Sequence, residues 1–229
     1  HGPRDIDDGP WLWSIADAVG NVLLKGDLGT HHVATGGLTE LGKIEAKLPD
    51  VTGAQELTLA LWMAGSEVKN EWQIWVYPGE VDLTVPEGVV VADLWGPKVK
   101  ETLQAGGRVL LVPDKSNVID KVDICFWNIF WGRGLFPSIP RPMGICCDPA
   151  QPALARFPTR DHSHFQWYSL LTDTYAININ KLPLEFEPVV FIIDDFNLSH
   201  RLGVVLEAKV GKGSLLISTL NLGREGERT

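Results

Sequence analysis

Cysteine and methionine are scarce in this chain, with three Cys and two Met in 229 residues. Three thiols cannot form a disulfide framework, and two of them, Cys146 and Cys147, are adjacent, so cysteine usage leaves the redox compartment open. Long apolar runs are also missing. At a mean hydropathy of +0.03, no stretch reaches the length that crosses a bilayer, which excludes a membrane-spanning helix. Positive charge is in deficit too: Lys+Arg 20 against Asp+Glu 29 gives a net charge of -9 and a pI near 5.1. Such a surface repels phosphate backbones and anionic headgroups, which argues against nucleic-acid and membrane-surface partners. Residues His1-Gly2-Pro3-Arg4 carry neither an initiator Met nor a basic-then-apolar leader, so the chain reads as a piece of something longer or a processed form. There is no internal repeat and no low-complexity tract.

What is present is globular composition, 45% hydrophobic and 21% charged, enough for one large domain or two small ones. The first 80 or so residues have the alternation and turn punctuation of β structure. Trp11-Leu12-Trp13-Ser14-Ile15 and Val22-Leu23-Leu24 flank a turn-forming cluster, 17–21, and predict a hairpin. Leu57, Leu59, Leu61 and Met63 fall on one strand face, and Trp72-Gln73-Ile74-Trp75-Val76-Tyr77 forms a strand stopped by Pro78-Gly79. After Pro78 the pattern changes. Val89-Val90-Val91, a helical stretch over 94–105 and the run 108–112 predict a βαβ unit. Residues 143–147 and 189–193 read as further strands. His164, Trp167, Tyr168 and Leu171 share a helix face, and 202–210 with 214–220 predict an edge hairpin around Gly211-Lys212-Gly213. The implied division is 1–80, an antiparallel sheet or sandwich, and 81–229, an α/β domain.

Several residue groups carry chemistry worth weighing. Asn70-Glu71 matches the acid/base corner of many retaining glycosidases, but it precedes an apparent antiparallel strand with no barrel around it; a polar start to a strand accounts for it. Pro142-Met143-Gly144-Ile145-Cys146-Cys147-Asp148 is similar to the strand-to-elbow sequence of class I glutamine amidotransferases, in which a Cys follows Gly-Ile. The glycines after the nucleophile are absent, and so is a His-Pro-Glu near the C-terminus, which leaves both cysteines reading as small buried hydrophobes of a strand. Asp161, His162 and His164 place imidazoles beside a carboxylate without the ligand spacing of a zinc site, and Asp161 reads as the N-cap of the following helix or as part of a contact site. His31-His32 sits in a Gly-rich loop, where exposure is the simplest account. Trp127 and Trp131, followed by Arg133, suit either a sugar or partner contact or structural packing. Asp194-Asp195 ends a buried-looking strand where open α/β sheets place ligands, yet adjacent strand residues point to opposite sides. Glu207, inside a strand, has Lys209 as a same-face partner.

Taken together, Asn70-Glu71-Trp72, Ile74-Trp75-Val76-Tyr77-Pro78, Phe126-Trp127-Asn128 and Gly144-Ile145-Cys146-Cys147-Asp148-Pro149 resemble the C-terminal region of bacterial glycoside hydrolase family 2, β-galactosidase-like proteins. So do Pro152-Ala153-Leu154, Phe157-Pro158-Thr159, Gln166-Trp167, Arg201-Leu202-Gly203 and 207–216, a resemblance spanning most of 12–222. It implies an antiparallel, β-sandwich-like N-terminal domain followed by an open, mostly parallel flavodoxin- or glutamine-amidotransferase-like sheet with flanking helices and no catalytic machinery. The family's catalytic glutamates lie in an upstream barrel, so the resemblance assigns no catalytic residue, metal or cofactor here. It implies an accessory fragment in a periplasmic or extracellular protein, partnered by the parent's catalytic domain, with carbohydrate as a further partner. The rival readings are a stand-alone carbohydrate-binding module using Trp127, Trp131 and Arg133, and a degenerate amidotransferase-like hydrolase using Cys146.

Overall fold

The computed structural model describes residues 4–126 and 142–223, divided into two compact units, His1–Val81 and Asp82–Thr229. In the first unit β1 (Ile6–Ala16), β2 (Val22–Val33), β3 (Gln55–Met63) and β4 (Lys69–Val76) form one antiparallel sheet in the order β2-β1-β3-β4. The β1–β2 turn is built by Asp17, whose carboxylate accepts hydrogen bonds from the Val19 and Asn21 amides and from Asn21 Nδ2. These bonds, the Asn21 side chain's first, hold the Asp17 carboxyl below the usual carboxylate range. Alternation places Trp11 and Ile15 with Leu57 among the buried residues. Trp13 lies directly opposite Gly26 and covers it: a Cβ at Gly26 would stand 2.6 Å from Trp13 Nε1. A sandwich needs a second sheet, and the described residues of this unit form only one. The segment between β2 and β3 instead carries no regular structure.

The second unit holds β5 (Val89–Ala92), α1 (Pro97–Gln104), β6 (Arg108–Leu111), β7 (Lys121–Ile124), β8 (Gly144–Cys147), α2 (Tyr168–Leu171), β9 (Thr174–Asn178), β10 (Val190–Ile193), β11 (Leu202–Val210) and β12 (Gly213–Ser218). The main sheet runs β5-β6-β12-β11-β10-β8, with β9 joined to β11 and β7 to β9. The β5–α1–β6 unit is as the sequence implies. Pro97 stands at the first turn, where its missing amide costs no bond, and Val99 and Leu103 bury against Val109, Leu111 and Leu215. The end of α1 rests on Gly213, where a Cβ would stand 2.5 Å from the Gly107 carbonyl oxygen. A larger core surrounds Trp167, Ile145, Val190, Ile192, Leu202 and Val204.

The open, mostly parallel flavodoxin-like sheet is not what forms. Strand makes up 40% of the described residues and helix only 10%, too little helix to cover both faces of a doubly wound sheet. Among the described residues only β5–β6 and β6–β12 pair in parallel; β8–β10, β10–β11, β11–β12, β9–β11 and β7–β9 are antiparallel. Connection length gives the reason for β10–β11 and β11–β12. A parallel pair needs a crossover of a dozen or more residues, whereas residues 194–201 joining β10 to β11 permit only a reversal. The β11–β12 hairpin lies inside the sheet rather than at its edge, because β12 also pairs with β6. The helix expected from His164 to Leu171 is a 3-10 turn, Phe165–Trp167, continued by the single turn of α2.

The sheet forks along β11, which pairs with β12 over Val205–Val210 and with β9 at Leu202 and Gly203. Two buried threonines close the fork. Thr219 Oγ1 donates to the Tyr175 carbonyl at 2.6 Å, and Thr174 Oγ1 donates to the Thr219 carbonyl. Backbone groups that leave one ladder before joining the next are thereby satisfied without water.

Candidate functional site

The second unit carries an open groove of about 940 Å³ beside β8, β10 and β11. Its floor follows from strand register. Cys146 of β8 lies opposite Phe191 of β10, so both side chains share one sheet face, and Glu207 and Lys209 contribute from further along β11. One wall is the loop carrying Leu184, Phe186, Glu187 and Pro188. That loop has no secondary structure of its own and is held by Arg201. The guanidinium donates to the carbonyls of Ile179 (3.5 Å), Leu182 (3.1 Å), Pro183 (3.1 Å), Leu184 (3.3 Å) and Phe186 (2.7 Å). A planar fork with several donors can do this; a lysine cannot. Lys209 does not pair with Glu207 as its spacing predicts; its ammonium donates to Ser214 Oγ at 2.6 Å on the neighbouring strand.

The adjacent cysteines part company. Cys147 is buried, its thiol donating to the Arg160 carbonyl at 3.2 Å, and burial first, then the neighbouring Cys146 and acidic groups, pushes it up to about 11. Cys146, expected to be buried like its neighbour, is exposed in the groove, because successive strand residues face opposite ways.

Asp161 caps nothing. The position before the 3-10 turn is His164, with no side-chain cap. Asp161 Oδ1 instead meets His162 Nδ1 at 2.6 Å on the surface, and this bond is the main reason its carboxyl lies below the usual range. The Asp161 carbonyl accepts from the Cys147 amide at 3.0 Å, which sets Cys146 and His162 as an antiparallel bridge pair. Paired residues project to the same face with Cβ atoms about 5 Å apart, so a thiol, an imidazole and a carboxylate come together. His164 serves structure. Its Nε2 accepts from the Arg160 amide at 3.4 Å and lies 3.2 Å from Thr159 Oγ1, which accepts from Trp167 Nε1 at 2.9 Å, locking the turn over the fully buried Trp167. Trp127, Trp131 and Arg133 lie outside the described residues.

Glu71 lies exposed on β4, a strand paired among the described residues with β3 alone, and meets Lys69 at 2.6 Å. Asp194 and Asp195 are both buried. Asp194 Oδ2 accepts from the His200 amide at 2.9 Å and meets His200 Nδ1 at 2.8 Å, while Asp195 Oδ1 receives the Asn197 amide and side chain at 2.8 and 2.6 Å. Sequence reasoning reached Asp194 but not its tie to His200, nor the role of Arg201. An acidic pair ending a strand, with a His a few residues on, was the signal for the first; nothing local marked the second. Among the described residues no group of three or more His, Cys, Asp or Glu side chains is placed to hold a metal ion. No described helix is long and apolar enough to cross a membrane.

Residues 90–229 match a protein-family model described as "Domain of unknown function (DUF8487)", and residues 1–78 match another described as "Domain of unknown function (DUF8488)". The two matches meet around the division between the structural units. No curated protein matches the chain.

Proposed function

The chain belongs to the family described as "Domain of unknown function (DUF8487)", and from that premise we propose that it is a non-catalytic accessory region of a glycoside hydrolase family 2-like protein, periplasmic or extracellular, docking on the parent's catalytic domain. The placement of Asn70-Glu71 carries this reading. Glycosidic cleavage needs two carboxylates facing each other across a bond in a concave site, one of them kept protonated. Glu71 instead stands on an open strand against Lys69. The carboxyls of Asp5, Asp17, Asp82 and Asp161 are each held low, chiefly by hydrogen bonds, the opposite of what a general acid requires of them. In support stand the residue groups from Asn70 to Leu216 that resemble the C-terminal region of those enzymes.

The test has two arms. The isolated chain should release no nitrophenol from nitrophenyl glycosides, and it should co-purify with a separately produced family 2 catalytic barrel. Turnover that vanishes in Glu71→Gln and persists in Glu40→Gln would refute the accessory reading, as would failure to associate with the barrel.

One observation favours a second reading, a thiol hydrolase using Cys146: the bridge that sets the exposed thiol beside the His162–Asp161 pair. In such a reaction the imidazole takes the thiol proton as sulfur attacks an acyl carbon, then returns it to the leaving group. Ammonia release from glutamine that is lost in Cys146→Ala would establish it; equal background in both proteins would remove it.

A further inference from the structure

We propose that the groove beside β8, β10 and β11 is a binding site for a neutral saccharide, with Phe186 and Phe191 against its C–H faces and Glu187 and Glu207 accepting its hydroxyl hydrogens. The argument rests on which polar groups in the groove are already engaged. Arg201 directs its guanidinium at five loop carbonyls, and Lys209 gives its ammonium to Ser214. Asp148 Oδ1 accepts from the Ala150 amide at 2.9 Å. Glu187 and Glu207, by contrast, have no hydrogen-bond or ion-pair partner among the described residues, though both line the groove. The groove thus presents acceptors and the neutral Gln151 amide, and its three carboxylates outnumber its two cations, both of which are hydrogen-bonded to neutral groups of the fold.

That inventory selects the ligand. An anion would meet three carboxylates against two cations, a net repulsion. A hard metal ion needs about six or more oxygens converging on one point, and the described residues form no such cluster. A purely apolar molecule would strip water from Glu187 and Glu207 and return nothing to them. A neutral ligand rich in hydroxyl donors, with an apolar face for two phenyl rings, answers every feature, since hydrogen bonds to ionised carboxylates are the stronger kind. The volume, about 940 Å³, lies within the range of small-molecule sites, and the open shape admits a chain end as well as a free sugar. The choice of sugar probes deepens the accessory reading above and rests on it.

Cys146 supplies the readout. It lies exposed in the groove, while Cys147 is buried with its thiol pushed up to about 11, so alkylation near neutral pH, sited by fragmentation of the peptide that carries both, distinguishes the two. The full chain would be treated with iodoacetamide alone and with increasing lactose, cellobiose or xylobiose, with glucosamine as a cationic comparison. At least one neutral disaccharide should slow Cys146 labelling fivefold or more in a saturable manner. Glu187→Gln and Glu207→Gln, both at exposed positions, should each raise the half-protecting concentration about tenfold. Absence of protection by all three disaccharides, protection indifferent to both variants, or protection by glucosamine alone would overturn the proposal. Failure to bind the catalytic barrel, with disaccharide protection intact, would sink the accessory reading and leave the groove assignment standing.

Discussion

Replacing Arg201 tests whether one side chain holds an entire wall of the groove. Five carbonyls share its guanidinium, and they are not equivalent. Those of Leu182, Pro183 and Leu184 are exposed and can turn to water when the cation is removed, at little net cost. Those of Ile179 and Phe186 are partly buried, and the Phe186 bond, at 2.7 Å, is the shortest of the set. A hydrogen bond from a charged donor is worth about 1.5–3 kcal/mol; counting the 2.7 Å Phe186 bond in full and the long 3.5 Å Ile179 bond and the exposed three at a fraction places Arg201→Ala at about 2–4 kcal/mol of destabilisation. Arg201→Lys keeps the charge but not the fork, and should lose about half of that. Urea unfolding gives the stability change, and hydrogen exchange resolves it along the chain. The amides of Leu182 and Phe186, which donate to the Ile179 and Pro183 carbonyls, should exchange faster in both variants, while β12 amides keep their relative protection. The reasoning fails if Arg201→Ala stays within about 0.5 kcal/mol of the parent, the level of an ordinary surface substitution, with loop exchange unchanged.

Thr219→Val removes the hydroxyl that closes the sheet fork on the Tyr175 carbonyl and leaves a buried acceptor unpaired; a loss of about 1–3 kcal/mol in urea unfolding is expected, largely restored in Thr219→Ser. Alkali should destabilise the second unit over a defined window. Burial raises Cys147 from 9.0 to about 11 and, with a smaller contribution from Asp114, Tyr175 from 10.0 to about 12, so folding favours the neutral form of both. That stability is fully present below pH 9 and is lost as pH rises through 11 for Cys147 and from 10 through 12 for Tyr175; a urea midpoint that stays flat from pH 9 to 12 would contradict it. Cys147→Ala should remove the lower part of the fall and leave the upper part.

The sequence by itself determined the local elements. Alternation of apolar residues located β1, β3 and β4, Asp17 to Asn21 marked a reversal, and Gly106-Gly107 stopped the helical stretch, whose start moves from Leu94 to Pro97 in the structure, because side-chain period, turn chemistry and capping act within a few residues. Strand direction was a different matter. The run 189–193 looks the same whether its neighbours run parallel or antiparallel, since burial on both faces sets composition while partner choice sets direction. β7 and β9 escaped notice because Lys121–Ile124 and Thr174–Asn178 are short and become strands by pairing with each other and with β11. The candidate site depended on the tertiary structure almost wholly. Alternation could tell that Cys146 and Cys147 face opposite ways, but not which one meets solvent; the packing of β8 on its two neighbours decided that. The same bridge brought His162 to Cys146 across a separation no spacing rule covers, and it diverted Asp161 from a helix cap to an imidazole. Arg201 gave no sign of its role, because its partners are backbone carbonyls, which every residue carries; only the path of residues 179–186 around the guanidinium made this arginine the support of the groove wall.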